Sequence, residues 1–453
     1  MSTSLLRDPT ALEAYARDVS GLRRVPDAVA RPESHDEVVA VVRESAAEKA
    51  CLTAAGAQTS TTGASVAASG WLLSTRAMSR IIDIDPVRRI ARVEPGVLIG
   101  DLQRACAPHG LFFAPDPTSE EESTVGGAIA CNASGPRTLA YGPTRRHVRA
   151  LTVVLADGSR LDLQRPGVEK NTVGHFIAQD AVDWFVGSEG TLGIVTEAEI
   201  ALLASPPRVL GLGVPFASEG DALAFIVAAR ETAGVAPRCL EYFDGESFGI
   251  ARAAMDDAAW APHAGAMVYT EDAGDGDAPL DEWLALAERF GANDADVRVF
   301  DGEQALREAR RLRHALPAAM HERTAPFLPQ GGRRMSTDWA VPYRLAATAL
   351  AEARRINTAH GLSPVTYGHL GNGHPHQNFV ARNPDEVKQC ETAIAETLRT
   401  IIAMGGTVAA EHGIGKVKSK WLSLQASPTQ VALMRALKRE LDPDGRLAPG
   451  NIL

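Results

Sequence analysis

Cysteine is scarce in this chain, basic charge is in deficit, and no long apolar run occurs. The five cysteines, Cys51, Cys106, Cys131, Cys239 and Cys390, are scattered and form no CxxC pair. That excludes an iron–sulfur cluster and a thiolate zinc site, and it fits buried thiols in a reducing compartment. With 46 Lys and Arg against 56 Asp and Glu, the formal charge is -10. A nucleic-acid partner is therefore not expected, because phosphate backbones call for a basic face. No apolar run approaches the roughly 18–20 residues that span a bilayer, so no transmembrane segment is expected. The opening Met1-Ser-Thr-Ser-Leu-Leu-Arg-Asp meets charge early and lacks the apolar core of a secretory signal, which predicts a cytoplasmic protein. Absent too are internal repeats and the strand, G-x-G-x-x-G, helix opening of a Rossmann unit, so any dinucleotide is held another way.

What is present describes a folded protein of two or three domains: 453 residues, 45% hydrophobic and 23% charged. Pro32-Glu-Ser-His-Asp-Glu followed by Val38-Val-Ala-Val-Val predicts a helix of about three turns with acids in its first turn. Beyond Cys51 come short β-like runs at Ile81, Ile90 and Leu151, divided by glycine and proline turns. From about Ser205 the pattern becomes helix-rich, at Ala222–Thr232 and Leu280–Phe290, interleaved with strands such as Ala266–Thr270. The class is α+β, with a boundary near 205. Glu271-Asp-Ala-Gly-Asp-Gly-Asp-Ala-Pro279 reads as an exposed loop whose charge is solvated.

Several loops join small residues to hydroxyls. They are Gly56-Ala57-Gln58-Thr59-Ser60 up to Gly63, Pro115-Asp116-Pro-Thr118-Ser119, and Thr124-Val-Gly126-Gly127-Ala-Ile-Ala130-Cys-Asn132-Ala133-Ser-Gly135, with Tyr141 and the run Gly187–Thr196. Glycine admits an anion close to the backbone, and successive N–H groups make a donor nest suited to phosphate. From about Pro32 to Glu197 the segments resemble the flavin domain of the vanillyl-alcohol oxidase and p-cresol methylhydroxylase flavoproteins. That likeness implies bound FAD. Gly56–Gly63 would be the pyrophosphate loop, while Pro115–Ser119, Thr124–Asn132, Gly135 and Gly190-Thr-Leu-Gly193-Ile194-Val195 would line the diphosphate, ribose and isoalloxazine. It also implies a two-part flavin domain over 1–205, with its core from about 32. A substrate or cap domain, an antiparallel sheet with helices over 206–420, would carry the metal site, and a C-terminal helical segment over 421–453 would pack back on the flavin domain. Some relatives attach flavin through a histidine in the first loop, where this chain has Ala57 and Gln58, so non-covalent FAD is expected.

A second constellation is Gly368-His369-Leu-Gly-Asn-Gly-His374-Pro-His376-Gln-Asn378, with Glu411-His412-Gly-Ile-Gly downstream; it holds four of the twelve histidines. Gly371-Asn-Gly373 is a tight-turn signal, so two strands folding back would bring His369 and His376 to one end. With Glu411 they form a two-histidine, one-carboxylate set suited to a divalent metal, zinc or manganese. Over nearly its whole length the chain is similar to the FAD-dependent D-2-hydroxyacid dehydrogenases, including D-lactate, D-2-hydroxyglutarate and glycolate-oxidising types. The resemblance implies His369, His376 and Glu411 as metal ligands, His412 as the base, Asn378 as a substrate contact and Arg313 as the grip on the substrate carboxylate.

Two departures stand out. The usual Gly-Asp-Gly-Asn turn is here Gly371-Asn-Gly-His374. His374 is either a third nitrogen ligand or, the preferred reading, a neighbour bent away by Pro375. Ser336 replaces the lysine of dicarboxylate-selective relatives, two residues before Asp338, so D-lactate is favoured over D-2-hydroxyglutarate, with glycolate an alternative. The activity implied is oxidation of a D-2-hydroxyacid to the 2-keto acid with the C2 hydride passed to flavin. Electrons would then reach an external quinone, cytochrome or electron-transfer flavoprotein. A non-redox transferase like alkyl-dihydroxyacetone-phosphate synthase, a homodimer, and a peripheral place on the inner membrane stay open.

Overall fold

The computed structural model describes residues 5–175, 180–274 and 279–453. Met1–Ser4 of the N-terminal reading and positions 275–278 of the acidic segment lie outside the described residues. The chain divides into two compact units, one made of Met1–Ser134, Gly142–Ser205 and Glu411–Leu453, the other of Gly135–Tyr141 and Pro206–Ala410.

In the first unit, helix His35–Ala47 starts at Ser34, whose side chain accepts the Glu37 N–H, and buries Val38, Val41 and Val42. Their i, i+3, i+4 spacing makes one apolar stripe. It packs on a parallel sheet with strand order Ala28–Ala30, Trp71–Ser74, Leu52–Ala55. A second, antiparallel sheet runs Ile81–Asp85, Ile90–Val93, Ile194–Ala201, Val148–Val154, Arg160–Gln164. Burial alternates residue by residue along Ile194–Ala201, the period-2 signature of a sheet with one face on the core. Helix Pro428–Leu441 begins with a capping box between Ser427 and Gln430. Its Leu437 and Leu441 rest on the core beneath that sheet, and Lys438 donates to the Thr191 carbonyl at 2.7 Å.

The second unit is built on a seven-stranded antiparallel sheet, in the order Arg298–Asp301, Leu210–Phe216, Ala266–Asp272, Pro237–Asp244, Val365–His369, His374–Ala381, Arg333–Ser336. Strands Leu210–Phe216 and Ala266–Asp272 are buried at every residue because helices cover both faces. Phe248 and Ala251 of helix Gly245–Ala254, with Ala309, Leu312 and Leu316 of helix Glu303–Thr324, fill one side. On the other, Phe225 of helix Glu219–Glu231 sits between Phe216 and Trp283, at ring separations of 5.1 and 5.9 Å.

The reading of Glu271–Pro279 as a solvated loop is corrected at its start. Glu271 and Asp272 end the buried strand Ala266–Asp272. Glu271 receives Arg137 Nε at 3.2 Å and Arg238 Nη1 at 3.1 Å. Burial pushes its carboxyl up, but the two guanidinium groups outweigh that and hold it down at about 2. Asp272 accepts the Ala236 N–H and the Trp283 indole, at 2.7 and 2.9 Å. Charge density in the sequence says nothing of these partners.

Candidate functional site

In the first unit the strand Leu52–Ala55 runs straight into the first glycine loop. A Cβ on Gly56 would stand 2.3 Å from Thr124 Oγ1, so this loop and the cap of helix Val125–Cys131 touch only because position 56 has no side chain. Thr124 Oγ1 accepts the Gly127 N–H, and Asn132 closes the helix in the left-handed region. Gln58 is left-handed as well, its amide tied to the Tyr15 and Ser65 carbonyls. Among the described residues, the backbone N–H groups of Ala57, Thr59 and Ser60 have no protein acceptor. Free amides beside a glycine cradle fit a diphosphate. Ser119 and Ser123 share a hydroxyl contact at 2.6 Å, Pro115 and Asp116 are buried and Thr118 is exposed. Gly190 and Gly193 precede the strand that Ile194 and Val195 open. Asn132 Oδ1 accepts the Arg145 N–H, and Ala133 accepts the Thr144 hydroxyl, which orders the turn after the helix. Gly135 and Tyr141 belong to the second unit, where Arg238 Nε donates to the Tyr141 hydroxyl at 2.9 Å.

The segment bearing His412 is fastened within this same unit. Glu189, a buried left-handed residue in the Gly187–Thr196 run, accepts the N–H groups of Ile414 at 2.6 Å and Gly415 at 2.8 Å. Burial pushes its carboxyl up, against the pull of those two amides. Thr62 donates to the His412 carbonyl at 3.4 Å, and His412 Nε2 lies 3.3 Å from Glu411 Oε1. Sequence reasoning missed Glu189 and Thr62; a carboxylate between two glycines was the available signal.

The histidine constellation of the second unit is a hairpin, strand Val365–His369, a 3-10 turn Leu370–Asn372, then strand His374–Ala381. His369 pairs directly with His374, and Tyr367 with His376. Side chains two apart share a strand face, so His374 and His376 point together. The bent-away role for His374 is therefore corrected: one ligand atom from each of His369, His374 and His376 lies within 4.8 Å of the others. Pro375 does not deflect the chain: pairing runs unbroken from Val365 with Asn378 to His369 with His374, and Pro375 stands opposite Gly368.

Hydrogen bonds set the tautomers. His369 Nδ1 meets Glu241 at 2.8 Å and His376 Nδ1 meets the Thr337 carbonyl at 3.3 Å. Both contacts call for a donor at Nδ1, which leaves the lone pair on Nε2, as a metal-binding imidazole requires. These donors fit a divalent ion. Arg313, on the long helix Glu303–Thr324, is not a surface charge: its Nε lies 3.5 Å from Glu241, and its side chain is 12% exposed. Glu241 thus joins Arg313 to His369. An acid set between Leu240 and Tyr242 inside the strand Pro237–Asp244 was the sequence signal for it. Asn378 stands opposite Ser336 and accepts from Arg334 Nη2 at 2.6 Å, a cation the sequence did not assign to that position.

Residues 26–164 match the FAD binding domain family, and residues 206–452 match the C-terminal domain of FAD linked oxidases. The chain is 32% identical to the glycolate oxidase subunit GlcD of Bacillus subtilis, over 94% of this chain and 89% of that protein. It is 29% identical to the D-lactate dehydrogenase of Anaerostipes hadrus, over 94% and 89%. Identity is 32% to the D-2-hydroxyglutarate dehydrogenase of Xanthomonas citri, over 99% and 94%. In fold it is similar to p-cresol methylhydroxylase, with a TM-score of 0.76 over 99% of this chain and 93% of that one at 17% identity. Matches that run nearly end to end, onto proteins of similar length, make this chain a member of the FAD-linked oxidases, the flavoprotein family of vanillyl-alcohol oxidase and p-cresol methylhydroxylase.

Proposed function

We propose that this protein is an FAD- and metal-dependent dehydrogenase that oxidises a D-2-hydroxyacid, D-lactate first, to the 2-keto acid. The observation that carries the reading is the cluster of His369, His374 and His376, one ligand atom from each within 4.8 Å of the others, with Nδ1 of His369 and of His376 against an oxygen acceptor. The family relatives named for lactate, glycolate and 2-hydroxyglutarate support the substrate class. When bound, the flavin supplies a two-electron acceptor and a divalent metal, zinc or manganese, supplies a Lewis acid. Glu411 is proposed as the third ligand. It follows Ala410, whose N–H donates to the Asp338 carbonyl at 2.8 Å. Arg313 holds the substrate carboxylate as a planar two-pronged donor. Asn378 contacts a substrate oxygen, and His412 takes the 2-hydroxyl proton as general base. Electrons then leave to a quinone, cytochrome or electron-transfer flavoprotein. We place the protein in the cytoplasm or against the inner membrane; no described helix is long and apolar enough to cross one.

Arg334 favours a second reading, a dicarboxylate such as D-2-hydroxyglutarate, because its guanidinium already lies on Asn378. One experiment tests both. Anaerobic D-lactate is expected to bleach the oxidised flavin spectrum, and a spectrum left unchanged by every 2-hydroxyacid would overturn the dehydrogenase reading. Ranking kcat/KM for D-lactate, glycolate and D-2-hydroxyglutarate then separates the substrates. A dicarboxylate preference above tenfold, about 1.4 kcal/mol at the transition state, assigns the distal carboxylate to Arg334.

Two further outcomes are expected. Acid precipitation releases yellow flavin into the supernatant, since Ala57 and Gln58 offer no attachment point; colour in the pellet contradicts this. Chelation abolishes turnover while the flavin spectrum persists, and zinc or manganese restores it. Full turnover in metal-free protein rules the metal out.

A further inference from the structure

We propose that His374 is itself a ligand of the metal site, so that three imidazoles rather than two hold the ion and bias the site towards zinc over manganese. The inference rests on the metal reading above and adds a ligand to it. His374 is 4% exposed, and its Nε2 is a buried nitrogen with no hydrogen-bond partner. A buried polar atom left in that state calls for an explanation, and an unseen ion is one. The same Nε2 lies 3.1 Å from Asp338 Oδ1, a contact that is close but out of line for a hydrogen bond. One ligand atom from each of His369, His374 and His376 lies within 4.8 Å of the others, a spread that one ion can bridge.

The backbone leads to the same conclusion. His369 and His374 are direct cross-strand partners, and His374 and His376 lie two apart on one strand, so a single sheet face carries all three rings. Ring centres lie 5.4 Å apart for His369 with each of the others, and 4.5 Å apart for His374 with His376. Gly368 permits this closeness: a Cβ there would come within 3.0 Å of the His374 carbonyl and of His376 Cδ2. Asp338, 2% exposed, adds a buried negative charge beside the imidazoles. Each imidazole that replaces an oxygen donor favours a borderline ion such as zinc over a hard one such as manganese.

The test uses the flavin-loaded protein stripped of metal and titrated calorimetrically with zinc or manganese. His374→Asn is expected to weaken zinc binding at least about tenfold while changing manganese binding less. In wild-type protein, X-ray absorption at the zinc edge should count three imidazoles, a readout that needs no variant to fold. Two imidazoles, or unchanged zinc affinity in His374→Asn while His369→Asn loses it, overturns the His374 assignment and leaves the metal reading standing. No zinc binding by the wild-type protein removes the metal reading, and this inference falls with it.

Discussion

Glu271→Gln is expected to destabilise the second unit by about 3–5 kcal/mol, the usual cost of removing one partner from a buried ion pair. Glu271 is 3% exposed and holds both Arg137 and Arg238. A neutral amide leaves the buried Arg238 and the partly buried Arg137 with no opposing charge at that position. Arg137 lies in the segment Gly135–Tyr141, and Arg238 carries Tyr141, so loosening is expected to begin there. The pH dependence has a definite sign. The folded carboxyl is held at about 2 against an ordinary 4.5. Its contribution is therefore complete above about pH 4.5 and is lost as pH falls towards 2. Thermal melts of wild type and variant between pH 2 and 6 check it: the gap should be widest at the top of that range and close towards pH 2. Coincident melting curves at pH 6 would refute the argument.

His412→Ala is expected to lower kcat by about 10²–10⁴-fold, the range for loss of a general base, with FAD still bound. The backbone at this position does not depend on the ring. Thr62 holds its carbonyl, and Glu189 holds the two amides that follow Gly413. Removing the imidazole should therefore leave the glycine loop in place. The pH profile adds an independent readout, because the limb governed by the base should vanish from kcat/KM in the variant. Near-normal turnover at full flavin loading would remove His412 from the chemistry.

Much of this architecture is legible locally. The apolar stripe of His35–Ala47, the strands around Ile81, Ile90 and Leu151 and the helices near Ala222 and Leu280 each declare themselves through a short period and a cap or turn. The Gly371-Asn-Gly373 turn shows in the same way, because a tight reversal needs particular residues at particular positions. Resemblance added the flavin loops, since their order along the chain is itself a pattern.

Pairing across the sequence is what the residues by themselves left undecided. Glu271 looked solvated because its partner Arg137 is 134 positions away. Glu241 passed unnoticed because its meaning comes from His369, 128 positions on. His374 was misjudged by weighing the proline beside it over the strand period it shares with His376, and only the register opposite His369 brings the three rings together. Composition, period and motif determined an α+β chain with a histidine hairpin, because those properties act through neighbours in sequence, and resemblance to a known family added the flavin. The tertiary structure decided which carboxylates and guanidinium groups lie behind that hairpin, because burial lets charges act only on what packing places within a few ångströms of them.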